Sequence, residues 1–308
     1  MASFIYHVFT STAMLSLGLY HLIVTTRNHL KSPREYSAKP YHPFPSSSAA
    51  GARRYLQLYL IIACLFIAFL HQTLISADPD PLLKGRTPVH RFTSLQSAAV
   101  LFLFLLLSLS LLLSETTSLL PFPPDLFFGV ASALFYLHYS SSSAAAAVQI
   151  SGLQAKCDSV SAIISALASL LCFILACQPR LFVADVGLGA ALLLQGLWAL
   201  QTGLSLYVEA FIPEGCHKML DVVSGVEGST KCDLEESKLR AAAILDLAFV
   251  IHVLFVLLIV FLIYGLIAKT VSIRRSFGSY EALPTLTTAA VGVEPNHIQM
   301  KSLTGTQA

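Results

Sequence analysis

The sequence predicts an all-α, polytopic membrane helix bundle of about seven transmembrane helices, and three observations carry that prediction. Hydrophobic residues make up 55% of the chain and charged residues only 12%, against about a quarter charged in ordinary soluble domains. The apolar residues gather in long stretches, and about 20 residues at ~1.5 Å each match a hydrocarbon core roughly 30 Å thick. Stretches such as residues 101–113 are apolar at odd and even positions alike. That pattern suits a lipid-buried helix and not a barrel strand, whose two faces alternate.

Taken in order, the first helix is expected over residues 4–25. The preceding Met1-Ala2-Ser3-Phe4 lacks the basic n-region of a cleaved signal peptide, so this helix is expected to be retained. A polar loop, 27–54, follows with Tyr41-His42-Pro43-Phe44-Pro45 inside it. The second helix is expected over 55–76. It stops before Asp78-Pro79-Asp80-Pro81, because proline lacks a backbone donor and clashes with the preceding turn. The third, 92–114, is the most apolar.

After Pro121-Phe122-Pro123-Pro124 the fourth helix must run from about 125 to 148 through Ser140-Ser141-Ser142-Ser143 and four alanines. Serine hydroxyls can bond back to helix carbonyls, which permits a spanning helix there. The alternative is a low-complexity loop and a six-helix chain. Helices five, six and seven are expected at 158–177, 181–207 and 241–268, with a long extramembrane loop at 208–240. Residues 1–268 then form the membrane domain. Residues 269–308 form a polar tail, expected to be cytosolic and without the apolar pattern needed to pack.

Loops rich in Lys and Arg stay cytoplasmic. The first loop carries Arg27, Lys31, Arg34, Lys39, Arg53 and Arg54, and the segment before helix one carries none. The N-terminus is therefore expected outside or lumenal, with the first loop in the cytosol. Charge alone does not separate six helices from seven. Seven would place Cys216 and Cys232 outside, where a disulfide persists; the alternative is two free thiols. Seven would also leave Tyr280-Glu281-Ala282-Leu283 in the cytosol, where Tyr280 and Leu283 fit a tyrosine-x-x-bulky sorting signal, against a chance four-residue match. The expected partners are the lipid bilayer, cytosolic sorting adaptors and a further copy of the chain. A net charge of +2 and the lack of a basic run with interleaved aromatics argue against nucleic acid.

Ionisable groups inside a membrane are costly and mark candidate sites. This chain offers His7, His21, His71, His138, His252 and Asp246, with Asp185 nearer a helix end. His7 and His21, fourteen residues apart, share a helix face but stand about 21 Å apart along the axis, too far to ligate one metal. Asp246 and His252 point to different sides of their helix. Asp246 is the sharper candidate, an acid inside an apolar run that must be neutral or paired. No His-x-x-x-His or Glu-x-x-His spacing occurs on one helix, so no metal or cofactor is expected.

Helix six carries Gly189, Gly196 and Gly203 at seven-residue spacing, a stripe that lets another backbone approach. The same helix carries Gln195, Trp198 and Gln201, which either glue the bundle together or line a small polar cavity. Ser161, Ser165 and Ser169 on helix five form a second small-residue packing face. Gly-x-Ser-x-Gly, phosphate-loop and His-Glu-x-x-His motifs are missing, so no enzyme is expected.

Gly18-Leu19-Tyr20-His21-Leu22, the Tyr41–Pro45 loop and Gln195-Gly196-Leu197-Trp198-Ala199-Leu200-Gln201-Thr202-Gly203 resemble the plant-type branch of the transmembrane protein 45 family. The likeness runs on through Leu206-Tyr207, Phe211-Ile212-Pro213 and Gly215-Cys216-His217. It implies a seven-helix protein of plasma membrane or Golgi–endosomal membranes, without a settled activity and loosely tied to stress or defence. Where that family carries charged and His-containing positions around helices four and five, this chain has Ser140–Ala147 and Lys156-Cys157-Asp158. The function expected first is non-enzymatic interaction or trafficking. The function expected second is transport of a small solute, ion or proton.

Overall fold

The computed structural model describes residues 2–43, 54–77, 89–117, 121–149, 151–220 and 227–278. Among them seven long helices form: α1 (Ala2–Lys31), α2 (Leu56–Ala77), α3 (Val89–Thr116), α4 (Pro124–Val148), α5 (Gly152–Cys177), α6 (Phe182–Tyr207) and α7 (Glu235–Gly278). A two-stranded antiparallel hairpin, β1 (Cys216–Leu220) and β2 (Glu227–Cys232), lies between α6 and α7. The chain is an all-α membrane bundle, as its hydropathy predicts.

The helix ends follow local chemistry. Proline at 33 stops α1, since the residue before a proline is pushed out of the helical region. Pro124 opens α4 at the first helical position, where its missing N–H costs nothing. Ser151 caps α5, its hydroxyl accepting from the Gln154 amide at 3.3 Å. Glu235 and Glu236 sit in the first turn of α7, where the helix dipole favours acids. Several helices outrun their apolar stretches. Thus α5 starts at residue 152 and not 158, and α7 covers 235–278 and not 241–268. Residues 269–278, expected as tail, are helical, and the compact unit runs Met1–Val271. Hydropathy marks only the lipid-facing part of a helix.

Six of the helices are long and apolar enough to cross a membrane; α4 falls short by composition. Its geometry says more. The connection before it joins Tyr41, Leu58, Leu111, Phe122 and Phe127 in one apolar cluster. The turn after it leads to Ser151, which donates to the Thr230 carbonyl of the hairpin. One end of α4 therefore lies with the first loop and the other with the hairpin, and its 25 residues cover about 37 Å. Contacts of the first loop agree. The Ala38 amide donates to the Pro179 carbonyl at 2.7 Å, so the first loop and the α5–α6 turn share one side. An even number of crossings must separate them, which α2, α3, α4 and α5 supply. The loop alternative for residues 140–147 is thereby removed.

The serines that lower the hydropathy of α4 are matched within the bundle. Ser132 donates to the Ser169 carbonyl at 2.9 Å and Ser169 to the Ser132 carbonyl at 2.8 Å. His138 Nδ1 meets Ser165 Oγ at 2.8 Å, and Ser97 meets Ser141 at 3.4 Å. Around the bundle α1 packs on α6, α6 on α5, α5 on α4, α4 on α3 and α3 on α2. The long helix α7 leans on this ring through Leu245, Phe249 and Val256 near Trp198. Most of its large apolar side chains remain exposed, as lipid contact requires.

Candidate functional site

The glycine stripe of α6 lies against α1. A Cβ on Gly203 would fall 2.8 Å from His7 Cβ, one on Gly196 2.8 Å from the Leu15 nitrogen, and one on Gly189 3.0 Å from His21 and Leu22. Gly18 on α1 answers from the other side, its missing Cβ 2.7 Å from the Leu193 nitrogen. As numbers rise on α1 they fall on α6 by nearly the same amount, so the two helices are antiparallel and in backbone contact over most of their length.

This close approach brings His21 onto Asp185. His21 Nε2 stands 2.7 Å from Asp185 Oδ1, and Asp185 is fully buried. The other carboxylate oxygen accepts from the Tyr36 hydroxyl and, at 3.4 Å, from Thr25 Oγ1. Thr25 Oγ1 also meets His42 Nε2 at 3.3 Å. A threonine hydroxyl has one proton, so with that proton on Asp185 the His42 ring must be the donor to Thr25. His21, Thr25 and Tyr36 thus offer three donors to one carboxylate, which satisfies a buried charge better than a single partner does.

The first loop closes over the cluster. The Tyr20 hydroxyl donates to the His42 carbonyl at 2.9 Å, and the His42 amide donates to Gln57 Oε1 at 3.0 Å. The Tyr36 ring meets His29 and Phe182 edge-on, and those two rings stack at 3.9 Å. Tyr41 donates to Glu115 Oε2 at 2.8 Å. Burial, with the Asp185 charge second, holds the Tyr36 hydroxyl well above its ordinary value, and burial does the same to Tyr41. Burial also pushes the His42 imidazole down to about 4. His42 Nδ1 is buried and has no hydrogen-bond partner.

The residues singled out from sequence are spread over several places. His7 sits beside Tyr207 with ring centroids 5.7 Å apart. Gln195 donates to Ser161 at 2.7 Å, Gln201 to Ser205 at 2.9 Å, and Trp198 Nε1 to the Cys157 carbonyl at 2.9 Å. His252 bonds the Ala248 carbonyl of its own helix and meets the Trp198 ring edge-on at 6.3 Å. Asp246 is paired, to Lys156 at 2.7 Å, but with 58% of its side chain exposed it lies outside the core. Ser161, Ser165 and Ser169 do face neighbouring helices, the first toward α6 and the other two toward α4. Cys216 and Cys232 are bonded and directly opposed in the hairpin register. Tyr280 and Leu283 lie outside the described residues.

Sequence reasoning missed Asp185 as the centre of a cluster, Tyr36 as its partner and His42 as the ring bonded to Thr25 beside it. Asp185 looked like a helix-end acid, and the loop residues carried no spacing signal. Among the described residues no set of three His, Cys, Asp or Glu side chains is arranged to hold a metal ion.

Residues 124–265, from α4 into α7, match the model of a family of unknown function, DUF716. No curated protein matches the chain. The fold is that of a multi-pass membrane protein, and residues 124–265 of it are similar to a family without an assigned activity.

Proposed function

We propose that the chain is a non-enzymatic membrane protein that acts through interaction and trafficking in the plasma membrane or endomembranes. Support comes from the way its interior polar groups are used. His21 with Asp185, Trp198 with Cys157, Gln195 with Ser161, His138 with Ser165 and Ser132 with Ser169 each join two helices. Polar groups matched across helix pairs fasten a bundle together.

In this reading the N-terminus is lumenal or outside and the first loop and tail are cytosolic, as the basic first loop favours. The likeness to the transmembrane protein 45 family is part of the same proposal, as is a role in stress or defence. Tyr280 and Leu283 would be read by sorting adaptors, and a further copy of the chain is a candidate partner. The test is Tyr280→Ala in the full chain: unchanged thermal unfolding with a redistributed protein is expected. An unaltered distribution removes the sorting role.

A second reading, transport of a small solute, ion or proton, draws on the buried His21–Asp185 pair. Its pathway residues would be Asp246, His252, Trp198 and Gln201, and Asp246 would have to matter for flux. An Asp246→Asn chain that moves solute as fast as wild type in reconstituted vesicles removes that assignment.

A further inference from the structure

We propose that the cluster around Asp185 is a proton-binding site, that His42 Nδ1 is the atom that takes the proton, and that uptake releases residues 32–43 from the bundle. The hydrogen bonds fix where a proton can add. With Thr25 donating to Asp185, His42 must carry its own proton on Nε2, which leaves the Nδ1 lone pair as its basic position. That atom is buried and unmatched, on a residue 3% exposed.

A proton added there makes an imidazolium inside a closed site. Among the described residues the titratable and charged groups that surround it are His21 and Tyr20 on α1, Tyr36 and Lys39 on the loop itself, and Asp185 on α6; α2 contributes the uncharged Gln57, and Glu115 of α3 is engaged by Tyr41. Among the described residues Asp185 is the anion whose charge acts on this ring, and its oxygens already accept from His21, Thr25 and Tyr36. The new charge therefore gains no direct partner, and undocking the loop into water relieves it. Since the loop ties α1 to α2, α3 and the α5–α6 turn, its release loosens one end of the bundle.

Docked, the His42 imidazole titrates near 4; free, at about 6.5. Docking is therefore at full strength above about 6.5 and is lost as pH falls toward 4, by about tenfold per unit. Between pH 7.5 and pH 5 the docking constant should drop about thirty-fold.

The experiment is amide hydrogen exchange on the full chain in nanodiscs, read at the amides of Ala38 and His42 and divided by the intrinsic rate at each pH. Wild type should lose about thirty-fold protection between pH 7.5 and pH 5. His42→Gln keeps a nitrogen donor for Thr25 but takes up no proton, and should give a flat profile. A flat wild-type profile overturns the proposal, and so does a slope that survives in His42→Gln. Should His42→Gln leave the loop unprotected even at pH 7.5, ring nitrogen signals of wild-type His42 decide. Neutral at pH 6 upholds the site; charged at pH 6 overturns it.

Discussion

The backbone nitrogen of Leu15 occupies the place where a side chain on Gly196 would begin: a Cβ built there falls 2.8 Å away. Backbone yields less readily than the end of a flexible side chain, so the α1–α6 contact depends on this glycine. Gly129 on α4 has nothing within 4 Å of the same position. Gly196→Ala should cost about 1–3 kcal/mol through overpacking. Gly129→Ala should be neutral or stabilise by up to about 1 kcal/mol, as removing a helix-interior glycine does. Unfolding of both variants in detergent checks the pair, and equal effects would contradict the close α1–α6 approach.

Asp185 and Asp246 are both acids with a basic partner, and their burial separates them. Asp185→Asn leaves three donors facing one acceptor oxygen and an amide, in a site without solvent. Its cost should be about 3 kcal/mol. Asp246→Asn breaks an ion pair whose members are 58% and 32% exposed, and should cost less than about 1 kcal/mol. The thermal midpoints of the two variants rank them directly.

These two aspartates also show how far the sequence could be read. The six apolar helices, their order and the close-packing stripe Gly189, Gly196, Gly203 were legible because each depends on local composition or on a spacing along one helix, whereas the serine-rich α4 left six or seven helices open. Asp246 stood out because its neighbours are apolar, yet α7 carries it out to Lys156. Asp185 did not stand out, since its partners are 149 to 164 residues away in sequence. Which helix meets which is set by contacts between distant segments, and hydropathy carries no record of them. The hairpin was hidden for a related reason: β1 and β2 are five and six residues long and are held by pairing and by Cys216–Cys232 more than by composition.

That disulfide closes a loop of 16 residues, for which chain entropy predicts about 3 kcal/mol of stabilisation. The hairpin is also held from below, Thr230 donating to the Leu206 carbonyl at 3.0 Å and Ser151 to the Thr230 carbonyl. Cys216→Ser with Cys232→Ser should raise exchange of the β1 and β2 amides strongly while the α1–α6 pair keeps its protection. Ser151→Ala should cost about 1 kcal/mol as a lost cap and loosen β2 as well. A hairpin whose exchange is unmoved by both changes would owe its order to other contacts.

The depth of α4 sets which side of the membrane each loop occupies. With α4 crossing, five helices separate the first loop from the hairpin, and the two lie on opposite sides. Without it four helices intervene, and the two lie on one side. Asn-x-Ser/Thr acceptors placed singly in the first loop and between β1 and β2 read this by glycosylation in microsomes. Modification at the hairpin alone is the expected result, since the basic first loop favours the cytosol. The same state at both sites would mean that α4 stays on one side. The Ala38–Pro179 hydrogen bond would then have to reach across the bilayer, which its 2.7 Å length forbids.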